Sequence, residues 1–180
     1  MAGLLQRQGY AATGLNQVVA EAHAPKGSIY HHFPGGKEQL AAEAVATSGA
    51  FVAAVLEHEL DRLGPRQRTA RALERFVDLL ADQLERSVYV EGCPVATAAL
   101  EVAPTSDLVA DAAAGAFTSW IDPLARRLEH DGFPARAART RATVLVAAIE
   151  GALVLDKAAR GTDALLAVRS ELALLCTPPR

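Results

Sequence analysis

The chain has 180 residues, 51% of them hydrophobic and 22% charged, with a formal net charge of −3. That composition supplies a sizeable core, excludes wholesale disorder and gives no global attraction to a polyanion, so any nucleic-acid binding must come from where charges sit. Two cysteines, Cys93 and Cys176, are too few for a disulfide framework and lack zinc-ligand spacing, which points to a reducing, cytoplasmic setting.

The first residues, Met1 to Arg7, lack a basic stretch followed by a long apolar run, so no signal peptide is expected. A first helix from Ala2 to Gln8 closes at Gly9. Thr13 is expected to cap a second helix from Leu15 to Ala22, whose Leu15, Val18, Val19 and Ala22 share one apolar face. Pro25 suits the first turn of a third helix, from Lys26 to Phe33, because its missing N–H has no partner there anyway. In that helix Ile29 and Phe33 point inward, while Lys26, Ser28, His31 and His32 point outward.

Pro34-Gly35-Gly36 stops the third helix, and a long helix follows from Lys37 to Leu63. The next, Arg66 to Arg86, sets Leu73, Phe76, Val77, Leu80 and Leu84 against a charged face. A short helix after Gly92-Cys93-Pro94 ends near Glu101, and Pro104-Thr105-Ser106 supplies a break and a cap for a helix from Asp107 to His130. Pro123 is expected to kink that helix. Gly132-Phe133-Pro134 ends it, and two last helices, Ala135–Arg160 and Thr162–Leu175, are parted by Gly161. Alternating strand patterns are nearly absent, so the fold class is all-α. The longest apolar stretch, Val144 to Ile149 resumed at Gly151 to Leu155, is shorter than the ~20 residues that span a bilayer, so no membrane passage is expected.

Two short helices joined by a tight turn, the second with polar side chains outward, suit a major groove about 12 Å wide. Lys26 can neutralise phosphate; Ser28, His31 and His32 can hydrogen-bond base edges or phosphates; Gly27 lets backbone approach closely; Tyr30 offers a hydroxyl on a rigid ring. Lys37 opens the following helix, where it can grip another phosphate. A surface helical hairpin is the plain alternative, in which case the chain is a protein-binding adaptor or a small-molecule-binding enzyme. No nucleophile–base pair, phosphate loop or metal cluster is evident, so no catalytic residue and no cofactor is assigned. Adjacent His31 and His32 project about 100° apart on a helix with no third ligand, so no metal is assigned either.

Gly9-Tyr10-Ala11-Ala12-Thr13, Val18-Val19-Ala20-Glu21-Ala22, Lys26-Gly27-Ser28-Ile29-Tyr30-His31-His32-Phe33 and Lys37-Glu38-Gln39-Leu40 together resemble the DNA-binding domain of the TetR family of repressors. Phe33-Pro34-Gly35-Gly36-Lys37-Glu38, Gly92-Cys93-Pro94-Val95-Ala96 and Ala98-Ala99-Leu100-Glu101 are similar to its LmrA/YxaF-like subgroup. The resemblance implies a helix-turn-helix domain over residues 1–46 and a regulatory and dimerisation domain over 47–180. It also implies a homodimer on a palindromic double-stranded operator, released by a small apolar or aromatic inducer. By position, Thr13 and Asn16 lie near phosphate at the start of the second helix; Lys26, Gly27, Ser28, Tyr30, His31 and His32 form the recognition helix; Lys37 matches the phosphate-binding lysine.

Two departures are visible: the first helix is shorter than the family's by roughly three turns at 3.6 residues per turn, and His23 stands where the turn usually has Gly. Phe76, Leu80, Phe117, Trp120, Ile121 and Leu124, with Cys93 and Glu150, are the candidate lining of the inducer pocket, although core packing explains each equally well. Val144, Leu145, Ala148, Leu153, Leu165, Val168 and Leu172 on the last two helices are the candidate dimer face.

Overall fold

Proline, glycine and hydroxyl residues punctuate the chain where its helices begin and end. The computed structural model describes residues 1–25, 27–62 and 69–178. Among these lie α1 (Ala2–Gln8), α2 (Leu15–Glu21), α3 (Ser28–His32), α4 (Gly36–Arg62), α5 (Thr69–Arg86), α6 (Pro94–Glu101), a 3₁₀ turn (Ala103–Thr105), α7 (Asp107–His130), α8 (Ala135–Ala159) and α9 (Asp163–Leu175), with no strand. The expected bounds of the fourth and fifth helices at Leu63 and Arg66 lie outside the described residues, as does Lys26.

Two compact units emerge, one from Met1–Ala50 with Cys93–Ala116, the other from the described residues of 51–92 and 117–178. In the first, Leu4, Val18 and Leu40 form a small core closed by Met1, Leu15 and Phe33, and α1 packs on α6. A Cβ added at Gly49 of α4 stands 2.4 Å from that of Ala116 on α7, so only glycine allows this approach.

In the second unit α8 and α9 pack together and both pack on α5. Leu73, Phe76, Val77 and Leu84 of α5 are buried, as their spacing foretells. Glu59, buried on α4, is held by Arg75 at 2.7 Å and Arg62 at 3.5 Å. By length and mean hydropathy α4 could cross a bilayer. It buries Leu40, Ala41 and Val45 in the first unit and Leu56, Glu59 and Leu60 in the second.

Several local readings change. Thr13 does not cap α2: Gly14 stands at the cap, and the buried Thr13 hydroxyl donates to the Gly9 carbonyl at 2.6 Å. Ser106 does cap α7, its oxygen accepting from the Val109 N–H at 3.2 Å. At the end of α8 the left-handed residue is Arg160, at φ 54. Leu145, Leu153, Leu165 and Leu172, expected on a dimer face, are buried within their own chain, while Ala148 and Val168 are half-buried. Helical spacing groups side chains on a face but does not reveal which neighbour covers it. Val144, Val154, Leu155, Leu166 and Leu174 are the large apolar side chains of α8 and α9 that stay exposed.

Among the described residues, three helices end in the same paired-bond motif, with a left-handed residue one place beyond the cap. After α2, Ala24 N donates to Val19 O at 3.1 Å and His23 N to Ala20 O at 3.2 Å, with His23 at φ 50. After α5, Tyr89 N donates to Leu84 O at 2.8 Å and Val88 N to Glu85 O at 2.9 Å, with Val88 at φ 53. Gly132, at φ 107, fills the place after α7.

Candidate nucleic-acid interface

The apolar side of α3 fixes its polar side. Ile29 is buried and Phe33 packs against the small core, which leaves Tyr30, His31 and His32 exposed, Tyr30 at 67%. The two imidazoles meet edge-on with centroids 4.9 Å apart. A phenol and two imidazoles on one short rod offer both donors and acceptors to base edges. Ser28 is half-buried at the rod's start, and its hydroxyl donates to the Pro25 carbonyl at 2.7 Å, leaving an oxygen lone pair to accept.

Gly27 precedes Ser28 in ordinary right-handed geometry, φ −75 and ψ −15. Among the described residues, no atom beyond its chain neighbours lies within 4 Å of where its Cβ would be. The fold therefore does not require glycine there, and the open space suits close approach by an external backbone. Asn16 is exposed near the start of α2. Thr13 is 1% exposed with its hydroxyl already engaged, so its part is to hold the α1–α2 turn rather than to face solvent. Arg7 is neutralised by Glu21 at 3.1 Å.

Lys37, half-buried, rests its ammonium 4.1 Å from the centroid of the Tyr10 ring. A cation over a ring is oriented without being neutralised, so its charge stays available to a phosphate. Burial, and then the nearby Glu38 carboxylate, push the Tyr10 hydroxyl pKa above its ordinary value, which keeps the phenol neutral. Tyr10 and Lys37 are 27 positions apart, and no local pattern pairs them.

Of the candidate pocket residues, Phe76, Trp120 and Leu124 are buried in the second unit, while Leu80, Phe117, Ile121 and Glu150 are half-buried there. Phe117 and Trp120 meet edge-on at 5.2 Å. Cys93 belongs to the first unit, where its sulfur caps α6 by accepting from Ala96 N at 3.4 Å. An open surface groove of about 610 Å³ lies instead along the start of α8 and the end of α9, between Arg136, Thr140, Arg141, Val144 and Leu175. Cys176 is buried, and that burial, with Asp131 next in weight, pushes its thiol up to about 12.

Residues 2–44 match the family described as bacterial regulatory proteins, tetR family. Residues 69–171 match the C-terminal domain of LmrA/YxaF-like transcriptional regulators. The chain is 36% identical to the HTH-type transcriptional regulator YxaF of Bacillus subtilis, over 96% of this chain and 88% of that protein. It is 35% identical to the HTH-type transcriptional regulator LmrA of the same organism, over 93% and 87%. A TetR transcriptional regulator from Legionella pneumophila has the same fold, with a TM-score of 0.83 at 21% identity over 96% of this chain and 91% of that one.

Proposed function

Because the chain belongs to the TetR family of bacterial regulatory proteins and is a transcriptional regulator with an LmrA/YxaF-like C-terminal domain, we propose that it is a repressor that grips a palindromic operator as a homodimer and lets go when a small aromatic or apolar inducer binds. One observation carries the DNA reading: α3 is anchored by Ile29 and Phe33 and presents Tyr30, His31 and His32 to solvent. Lys37, Asn16 and Gly27 add phosphate contacts and room for the duplex, and Lys26 adds a further charge.

Val144, Val154 and Leu155 of α8 with Leu166 and Leu174 of α9 supply the dimer face. Two copies meeting there make a four-helix contact of the isologous kind. Phe76, Phe117 and Trp120 give the inducer an aromatic lining in the second unit. The inducer binds a dimer state whose recognition helices no longer match successive grooves, and so shifts the population away from DNA.

Selection of bound duplexes from a random pool tests this. The expected product is an inverted repeat with half-sites about one helical turn apart. Lys37→Ala weakens binding about equally for all duplexes and lowers the salt slope by about 1. A panel of small aromatic compounds then includes one that releases the selected duplex. No preference for any duplex at low ionic strength sinks the proposal.

A further inference from the structure

Glu101 ends α6, where a carboxylate opposes the helix dipole and gains nothing locally. Its gain lies elsewhere. Oε2 accepts from the backbone N–H of Tyr10 at 2.8 Å and of Ala11 at 3.0 Å, reaching back 91 and 90 residues to the α1–α2 turn. Gly9 makes the seat: a Cβ there stands 2.1 Å from Glu101 Oε1, and its φ of +78 is itself left-handed. Thr13 ties the same turn from the other side through the Gly9 carbonyl.

Tyr10, so fixed, carries Lys37 on its ring. Five residues past Glu101, the Ser106 hydroxyl donates to Glu38, the neighbour of Lys37. One short stretch, Glu101 to Ser106, thus holds both the ring beneath the lysine and the residue beside it.

Resting on the DNA-binding reading above, we propose that Glu101 is a positioning residue: its carboxylate sets the Gly9–Ala11 turn and, through Tyr10, the place of the Lys37 ammonium at the phosphate. A pair of charge-assisted bonds to one carboxylate is strong enough to define the turn without being needed for the core.

The test uses the duplex that the full-length wild-type chain selects from a random pool. Glu101→Ala weakens binding about tenfold, and Glu101→Gln, which keeps one carbonyl acceptor, about threefold. In a Lys37→Ala background the further loss from Glu101→Ala falls below about twofold, because the two residues act in series. Amide exchange in Glu101→Ala speeds up at Tyr10 and Ala11 while α8 keeps its protection, a pattern that general destabilisation does not give. Should Glu101→Ala fail to fold, Glu101→Gln carries the same cycle. Binding by the variants within twofold of wild type, or losses from positions 101 and 37 that simply multiply, overturns the proposal and leaves the DNA reading standing. A wild-type chain that selects no duplex overturns both.

Discussion

Val88 sits at φ 53, where a β-branched side chain crowds its own backbone, and at 73% exposure it packs against little. Left-handed geometry costs an L-residue about 1–2 kcal/mol, and glycine's extra unfolded-state freedom takes back roughly 0.5–1 kcal/mol of any relief. Val88→Gly is therefore expected to stabilise the fold by about 0.5–1 kcal/mol, raising Tm by about 1–4 °C in calorimetry; a lowered Tm contradicts the motif. His23, in the corresponding place after α2, was legible as a strained position because a glycine was expected there. Val88 was not, since valine gives no chemical sign of a left-handed turn. Gly27 makes the opposite point. Its backbone is right-handed and its surroundings open, so Gly27→Ala is expected to change stability by no more than about 0.5 kcal/mol. The added methyl nonetheless meets the approaching duplex, and affinity for the selected site drops about tenfold. Unchanged affinity in a binding titration removes Gly27 from the contact.

Helix bounds were readable because Gly9, Pro94, Ser106 and Gly132 impose them through local backbone chemistry. The start of α9 depends on something remote. The N–H groups of Ala164 and Leu165 both donate, at 2.8 Å, to the carboxylate of Asp156 on the preceding helix. Asp156 is 2% exposed, and in the sequence it is one more acidic residue near a helix end. Removing it strands two amides, one of them on a fully buried leucine. Asp156→Ala is expected to cost about 2–4 kcal/mol in urea unfolding, with Asp156→Asn less damaging because an acceptor remains. Equal stability of all three forms places the helix start under other control. The same distinction holds within α8: periodicity groups Leu145 with Leu153 but does not say what buries them, and both are buried in a single chain whose α8 packs on α5 and α9.

Across the molecule, the exposed apolar residues of α8 and α9 give the quaternary prediction. Leu155 is 64% exposed. Light scattering is expected to find wild type near twice 18.9 kDa. Leu155→Glu shifts the population to single chains, and its operator affinity drops by at least about tenfold as one half-site is lost; an unshifted mass moves the interface elsewhere. The exposed polar side of α3 was legible because polar residues on a short amphipathic helix announce themselves. Tyr10 and Glu101 were not, because their significance arises only when the chain folds back on itself. That fold-back has a cost during synthesis. The unit bearing α3 is assembled from Met1–Ala50 and Cys93–Ala116, so a nascent chain that has just released its first fifty residues from the ribosome lacks Val95, Ala98, Val109 and Ala113 of that unit's interior. The reading head must wait, unfinished, while 51–92 emerge; such sequence-distant closure is slow and leaves apolar surface open to chaperones.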